Sequence, residues 1–231
     1  LLEERGISVG KCLEVGCGRG SLSGYFSQNG WKSTLLDLSE TVISRAESAF
    51  GESELNADFV VGNCLNMPFE KDTFDCIFSI GLLEHFESVS MVLEEQYRCL
   101  KPGGIIFGYI VPEKKVTIQE KYNWFNNILS SEIETKCIQK ASVYRSSYGI
   151  NYYEKIFEDI GFKHIECSGI YSMPMISNST EFPFTLLKPS SEKILTQYLK
   201  SFLAKRVEGG FEDPWLCNED EGHAILVWAT K

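Results

Sequence analysis

The hydrophobic and polar positions of this chain alternate between two periods, and the change of period marks its elements. Cys12, Leu13 and Val15 form a short apolar run with the length of a buried strand, and Gly16, Gly18 and Gly20 follow at once. Glycines at that spacing let the backbone turn sharply and bring its N–H groups close to a ligand. Leu22, Tyr25 and Phe26 then fall on one face of a helix, with Ser21 as the expected N-cap and Gly30 as the stop. Leu35, Leu36 and Leu38 return the chain to the sheet and leave Asp37 at or near the carboxyl end of a second strand. In open α/β sheets that edge is where ligands bind.

The alternation continues downstream. Val42, Ile43, Ala46 and Phe50 have helical spacing, with Gly51 as the stop, and Ala57 to Val61 reads as a strand. Phe74 to Ile80 is a buried strand, Val89 to Leu100 a helix, and Leu100 to Gly104, LKPGG, ends that helix before the strand Ile105 to Val111. Helices are expected over Ile118 to Lys140 and Ser147 to Ile160, with Gly161 as the stop of the latter. Phe162 to Tyr171 and His223 to Thr230 read as strands. Between them, residues 172–222 form an insertion with one helix, Glu192 to Val207, and an acidic turn, Asn218 to Glu221. Strands alternating with helices predict an α/β fold with a doubly wound, mostly parallel sheet. A chain of 231 residues suits a single domain, 1–231.

The glycine spacing narrows the ligand. A dinucleotide fingerprint is G-x-G-x-x-G/A; here the third glycine comes one residue early, at Gly20, which disfavours NAD. The form E-x-G-x-G-x-G, Glu14 to Gly20, resembles the first motif of the class I S-adenosylmethionine-dependent methyltransferases, a Rossmann-like family. Three more stations resemble that family in order: Gly62 to Phe69, where Asn63 replaces the family's usual acid; Gly81 to His85, G-x-L-E-H, as in the small-molecule branch of ubiquinone and menaquinone biosynthesis; and the L-K-P-G-G turn. The four together cover residues 13–111.

That resemblance implies a seven-stranded sheet with an antiparallel edge strand, and S-adenosylmethionine as cofactor, leaving as S-adenosylhomocysteine. It implies cofactor contacts from Glu14, Gly16, Cys17, Gly18 and Gly20 in the first loop and from Asp37 and Leu38 at the ribose hydroxyls. Asn63, Cys64 and Leu65 fall to the adenine, and Ser79, Ile80 and Gly81 lie beside the methionine chain and methyl. An amide oxygen at Asn63 can accept from the adenine amino group as a carboxylate does. His85 is the candidate catalytic base: it follows the strand that meets the methyl, and its ordinary pKa near neutrality suits proton removal from a hydroxyl or an acidic carbon. Its competing reading is a helix-start or core histidine. Glu84 either positions His85 or caps the next helix.

Charge and cysteines restrict the setting. A formal charge of −10 and a pI near 4.9 argue against a broad nucleic-acid surface. No apolar run reaches the ~18 residues of a membrane helix, and no signal peptide is visible. A lid preceding Leu1 stays open. The eight cysteines lack a C-x-x-C pair, which fits buried thiols in a reducing, cytoplasmic compartment, with no metal site. Residues 112–150 and the insertion 172–222 are expected to cover the acceptor. Tyr122, Trp124, Phe125, Tyr144, Tyr148, Tyr152, Tyr153, Phe182 and Phe184 supply either an apolar box or ordinary core, and Arg145 either pairs with an acceptor carboxylate or is simply exposed. The expected activity is methyl transfer to a small-molecule acceptor by in-line displacement. A tRNA or protein methyltransferase and a non-catalytic S-adenosylmethionine-binding scaffold remain alternatives, and oligomeric state stays open.

Overall fold

The computed structural model describes residues 9–114, 144–170 and 189–231. Helix 118–140 and the aromatics Tyr122, Trp124, Phe125, Phe182 and Phe184 lie outside the described residues. In chain order the elements are β1 (Lys11–Val15), α1 (Ser21–Gln28), β2 (Lys32–Asp37), α2 (Glu40–Glu52), β3 (Ala57–Val61), β4 (Phe74–Ile80), α3 (Ser90–Cys99) and β5 (Leu100–Ile110). They continue with α4 (Ile150–Ile160), β6 (Lys163–Ile170), α5 (Pro189–Glu208), β7 (Leu216–Cys217) and β8 (Ala224–Thr230).

One eight-stranded sheet runs in the order β3-β2-β1-β4-β5-β8-β6-β7. Strands β1 to β5 pair in parallel, while β8 is antiparallel to both β5 and β6. The last two long strands, β6 and β8, form an antiparallel pair at the far side of the sheet, as expected. Two details differ: β8 lies between β5 and β6 and not at the edge itself, and among the described residues a two-residue strand, β7, adds an eighth member beyond β6. The insertion's last residues supply that edge, which its acidic turn gave no means of seeing.

Both faces of the central strands are covered, which is why they read as continuous apolar runs. The pleat sends alternate residues to opposite faces. Leu13, Val15, Leu36 and Ile77 join one cluster with Val92 and Leu93 of α3 and Tyr153 and Phe157 of α4. Cys12, Cys76 and Phe78 pack on Phe26 of α1 and Trp31, and Leu35 packs on Ile43, Ala46 and Phe50 of α2. Rings of Phe26, Phe78 and Phe107 are stacked in sequence, with centroids 5.0 Å apart at each step.

Three boundaries move. Ser21 is the first residue of α1, whose cap is Gly20 at φ 69°, because only the glycine adopts the left-handed turn out of the loop. Gly51 lies inside α2, which runs on to Glu52 before Ser53 caps it. LKPGG belongs to the start of β5, where the Gly103 N–H (φ +76°) donates to the Lys231 carbonyl at 3.0 Å.

The chain leaves β1 toward β2 and β3 and comes back on the other side at β4, so strand order reverses between β1 and β4. Such a reversal opens a crevice at the carboxyl ends of the strands.

Candidate active site

At that crevice a cleft of about 310 Å3 is lined by Gly16, Leu36, Asp37, Leu38, Gly62, Asn63, Cys64, Leu65, Leu82 and Phe86. Asp37 is the last residue of β2. Its Oδ1 accepts from the Ser39 N–H at 2.9 Å and its Oδ2 from the Gly18 N–H at 3.3 Å, while its carbonyl accepts from the Gly62 N–H at 2.9 Å. The carboxylate therefore joins the glycine loop to the turn after β3. Asn63 Oδ1 accepts from the Leu65 N–H at 2.9 Å, which holds that turn in shape. Backbone forms the wall at two points: a Cβ on Gly16 would come within 2.8 Å of Leu82, and one on Gly62 within 2.7 Å of Leu36.

Six of the expected cofactor residues, Gly16, Asp37, Leu38, Asn63, Cys64 and Leu65, meet in this cleft. Leu36 was not expected here, Gly62 was expected only as part of the adenine turn, and Leu82 and Phe86 were expected on the acceptor side. Leu82 and Phe86 flank Glu84 by two residues on either side, in a stretch read for its acid and its histidine, and their apolar character beside Gly81 was the only signal.

The glycine loop works differently from expectation. The N–H groups of Gly16 and Cys17 both donate to the Leu36 carbonyl, at 2.8 and 3.0 Å, and that of Gly20 donates to the Cys17 carbonyl at 2.8 Å. With Gly18 bound to Asp37, these four donors are spent inside the protein. The glycines supply close approach and left-handed backbone, not free N–H groups.

Glu14, Cys17, Gly18 and Gly20 stand behind the cleft lining. Glu14 is 3% exposed, and its Oε2 accepts from the Ser23 N–H at 3.1 Å. Since Gly20 has no side chain to cap α1, this carboxylate from β1 takes over one of the helix's orphan donors. Burial pushes the Glu14 carboxyl up to about 7, with the Ser23 hydrogen bonding acting in the opposite direction. A carboxyl raised in the folded state binds its proton more tightly there than in the unfolded chain. Its contribution to stability therefore falls as pH rises from about 4.5 to about 7, by roughly 3 kcal/mol, and is flat above. Urea midpoints of wild type and Glu14→Gln between pH 5 and 8 check this: the variant, which cannot ionise, is expected to lose that slope.

At the end of β4, Ser79 is buried, Ile80 is 40% exposed and Gly81 turns the chain at φ +66°. A 3-10 turn, Leu83–His85, follows. Residues 144–149 lie across it as a strap. The Ser146 N–H donates to the Glu84 carbonyl at 2.7 Å, the Glu113 N–H donates to the Ser146 carbonyl at 2.8 Å, and the Tyr148 hydroxyl donates to the Glu87 carbonyl at 2.8 Å. His85 is half-buried, with Nδ1 2.8 Å from the Tyr144 carbonyl. A carbonyl only accepts, so Nδ1 carries a proton, and in the neutral ring the lone pair is on Nε2. Burial raises the Glu84 carboxyl, while its own N–H, the His85 and Arg145 charges and the Val111 N–H oppose the rise. None of Ser79, Ile80, Gly81 or His85 is among the residues lining the 310 Å3 cleft; they adjoin it through Leu82 and Phe86.

The other histidines are elsewhere. His164, on β6, has Nδ1 2.9 Å from Thr230 Oγ1, and His223 precedes β8, where burial first, then Lys114 and Arg145, push its imidazole down to about 4. Of the aromatics within the described residues, Tyr153 is core at 0% exposure, Tyr148 and Tyr152 are stacked at 3.9 Å, and Tyr144 is exposed beside His85. Among the described residues no helix is long and apolar enough to cross a membrane, and no group of three or more His, Cys, Asp or Glu could hold a metal ion.

Residues 13–108 match a family described as a methyltransferase domain. Squalene methyltransferase 1 of Botryococcus braunii is 37% identical over 102 residues, 43% of this chain and 27% of that protein. The ubiquinone biosynthesis O-methyltransferase of Pseudomonas fluorescens is 33% identical over 111 residues, 46% of this chain and 47% of that one. The matches thus span half or less of these relatives' own lengths. Phosphoethanolamine N-methyltransferase 2 of Haemonchus contortus, solved in complex with S-adenosyl-L-methionine, superposes with a TM-score of 0.57 at 18% identity, covering 97% of this chain and 49% of that one. The reversal of strand order at β1, the acid closing β2 and the likeness over residues 13–108 agree, and together they support a class I S-adenosylmethionine-dependent methyltransferase.

Proposed function

We propose that this chain methylates a small-molecule acceptor, using S-adenosylmethionine, by in-line displacement. The observation that carries the reading is the Asp37 carboxylate on the wall of a cleft whose other walls are backbone, apolar side chains and the Asn63 amide. A carboxylate is acceptor-only, and an adenosyl ribose offers two hydroxyl donors to it. Asn63, Cys64 and Leu65 would hold the adenine, with Leu82 and Phe86 beside the ring. Gly16 and the loop behind it, Cys17, Gly18 and Gly20 with Glu14 as support, would flank the amino-acid tail, and Ser79 to Gly81 the methyl end.

When bound, the sulfonium supplies an activated methyl on a good leaving group. What remains for the protein is chiefly alignment, which contributes about 7–11 kcal/mol in favourable cases. His85, its Nδ1 proton committed to Tyr144, presents Nε2 as a proton acceptor for a hydroxyl or acidic carbon. The net charge of −10 supports a small acceptor over a nucleic acid, and the relatives above are named for squalene and ubiquinone biosynthesis. The described parts of the two segments expected over the acceptor, 112–150 and 172–222, include the strap beside His85 and the edge strand β7.

A tritiated-methyl transfer screen against a metabolite extract tests the proposal. Label is expected in a small organic product. Label in RNA or protein, or none in any fraction despite cofactor binding, would refute it. His85→Ala is expected to lower turnover about 100-fold or more, the range of a positioned base, with S-adenosylhomocysteine affinity unchanged by calorimetry. Unchanged turnover removes His85 from the mechanism.

A further inference from the structure

Among the described residues, three buried polar atoms behind the strap find no hydrogen-bond partner: Glu84 Oε2, Ser146 Oγ and Tyr153 OH. Their residues are 1%, 2% and 0% exposed. They come from the turn after β4, from the strap and from α4, and the first two adjoin, the Ser146 N–H donating to the Glu84 carbonyl at 2.7 Å. The Ser146 side chain, by hydrogen bonding, and the Glu84 carboxyl, by charge, act on the Tyr153 phenol in opposite directions, while none of the three atoms has a partner of full hydrogen-bond geometry among the described residues. Buried polar groups in native proteins are satisfied, by an ordered water where protein atoms do not reach. A water enclosed in this way makes about three hydrogen bonds, the number of open positions here.

We propose that Glu84, Ser146 and Tyr153 enclose one ordered water and act through it as positioning residues for His85. The two hydroxyls can each donate or accept, and the carboxyl oxygen accepts, so a single water can satisfy all three. The bridge ties α4 to the strap. The strap is held on its other side by the Ser146 N–H on the Glu84 carbonyl and by the Glu113 N–H on the Ser146 carbonyl. Two residues before Ser146, the Tyr144 carbonyl accepts a hydrogen bond from His85 Nδ1–H. By holding the strap, the water holds in place the Tyr144 carbonyl that fixes the imidazole tautomer. Its importance for turnover rests on the assignment of His85 as proton acceptor; its existence does not.

The test uses Tyr153→Phe and Ser146→Ala, which remove one hydroxyl each and little volume, their double variant, and Ser146→Thr, which retains a hydroxyl. Nitrogen NMR of the His85 ring reads the tautomer, a quantity that general loss of packing would not select, and hydrogen exchange reads the Ser146 amide. Wild type is expected in the Nδ1–H form. Each hydroxyl deletion is expected to give mixed tautomers and about tenfold faster Ser146 exchange, the worth of one hydrogen bond, and Ser146→Thr is expected to restore both. Because one water is shared, the double variant is expected to be no worse than either single one. Wild-type tautomer in both single variants, or effects that multiply in the double, would overturn the proposal. Calorimetry with S-adenosylhomocysteine is run separately: its failure in wild type counts against the proposed function and leaves the tautomer result standing.

Discussion

Asp37→Ala is expected to weaken S-adenosylmethionine and S-adenosylhomocysteine binding at least tenfold. Asp37 is the only carboxylate among the described residues lining the cleft, and charge-assisted hydrogen bonds to two hydroxyls are worth about 1.4 kcal/mol or more. The same side chain also receives the Gly18 and Ser39 N–H groups. Its removal therefore loosens the loop that would flank the amino-acid tail, and both effects run in one direction. Asp37→Asn keeps the shape and one acceptor but loses the charge, so it is expected to fall between. Calorimetry on the three proteins decides the matter, with thermal melts to show that they remain folded. An Asp37→Ala protein that binds within twofold of wild type would sink the ribose assignment.

Gly20→Ala is expected to cost about 2–4 kcal/mol of stability, where Gly18→Ala costs only about 1. Both glycines have positive φ, 69° and 52°, so a side chain is strained at either. The difference lies in their surroundings. A Cβ on Gly20 would strike the Leu35 and Phe50 side chains in the core beneath α2, whereas one on Gly18 would meet nothing within 4 Å. Overpacking adds its own penalty at the first site and none at the second. Urea denaturation measures both, and equal losses would show that backbone strain alone matters in this loop. The three glycines of one motif thus have three duties: Gly16 brings backbone to the cleft, Gly18 reaches Asp37, and Gly20 lets the loop pack down.

Much of this was legible before any coordinates. β3 and β4 run over the residues their apolar pattern indicated, and Asp37 closes β2 as its position after Leu35 and Leu36 required. Those readings succeed because a strand covered on both faces must be apolar throughout, and the change to helical spacing follows from burying one face only. Helix ends were less legible. Gly51 looked like a stop, yet α2 continues through it, because packing of Phe50 against Phe59 and Leu35 outweighs one glycine's weak preference.

The linear order of residues determined the strand–helix alternation, the ligand edge and the residues that meet there from β1, β2 and β3, since each of these follows from local period and from the rule that parallel strands share one carboxyl end. Folding settled the rest: that loop donors expected for a ligand are consumed by Leu36 and Asp37, that Glu14 caps a helix through an N–H nine residues away, that Leu82 and Phe86 complete the cleft, and that His85 is held by a carbonyl 59 positions later. Each of these depends on a partner supplied by another element. Side-chain type limits which bonds a residue can make, but the arrangement in space selects the one it does make.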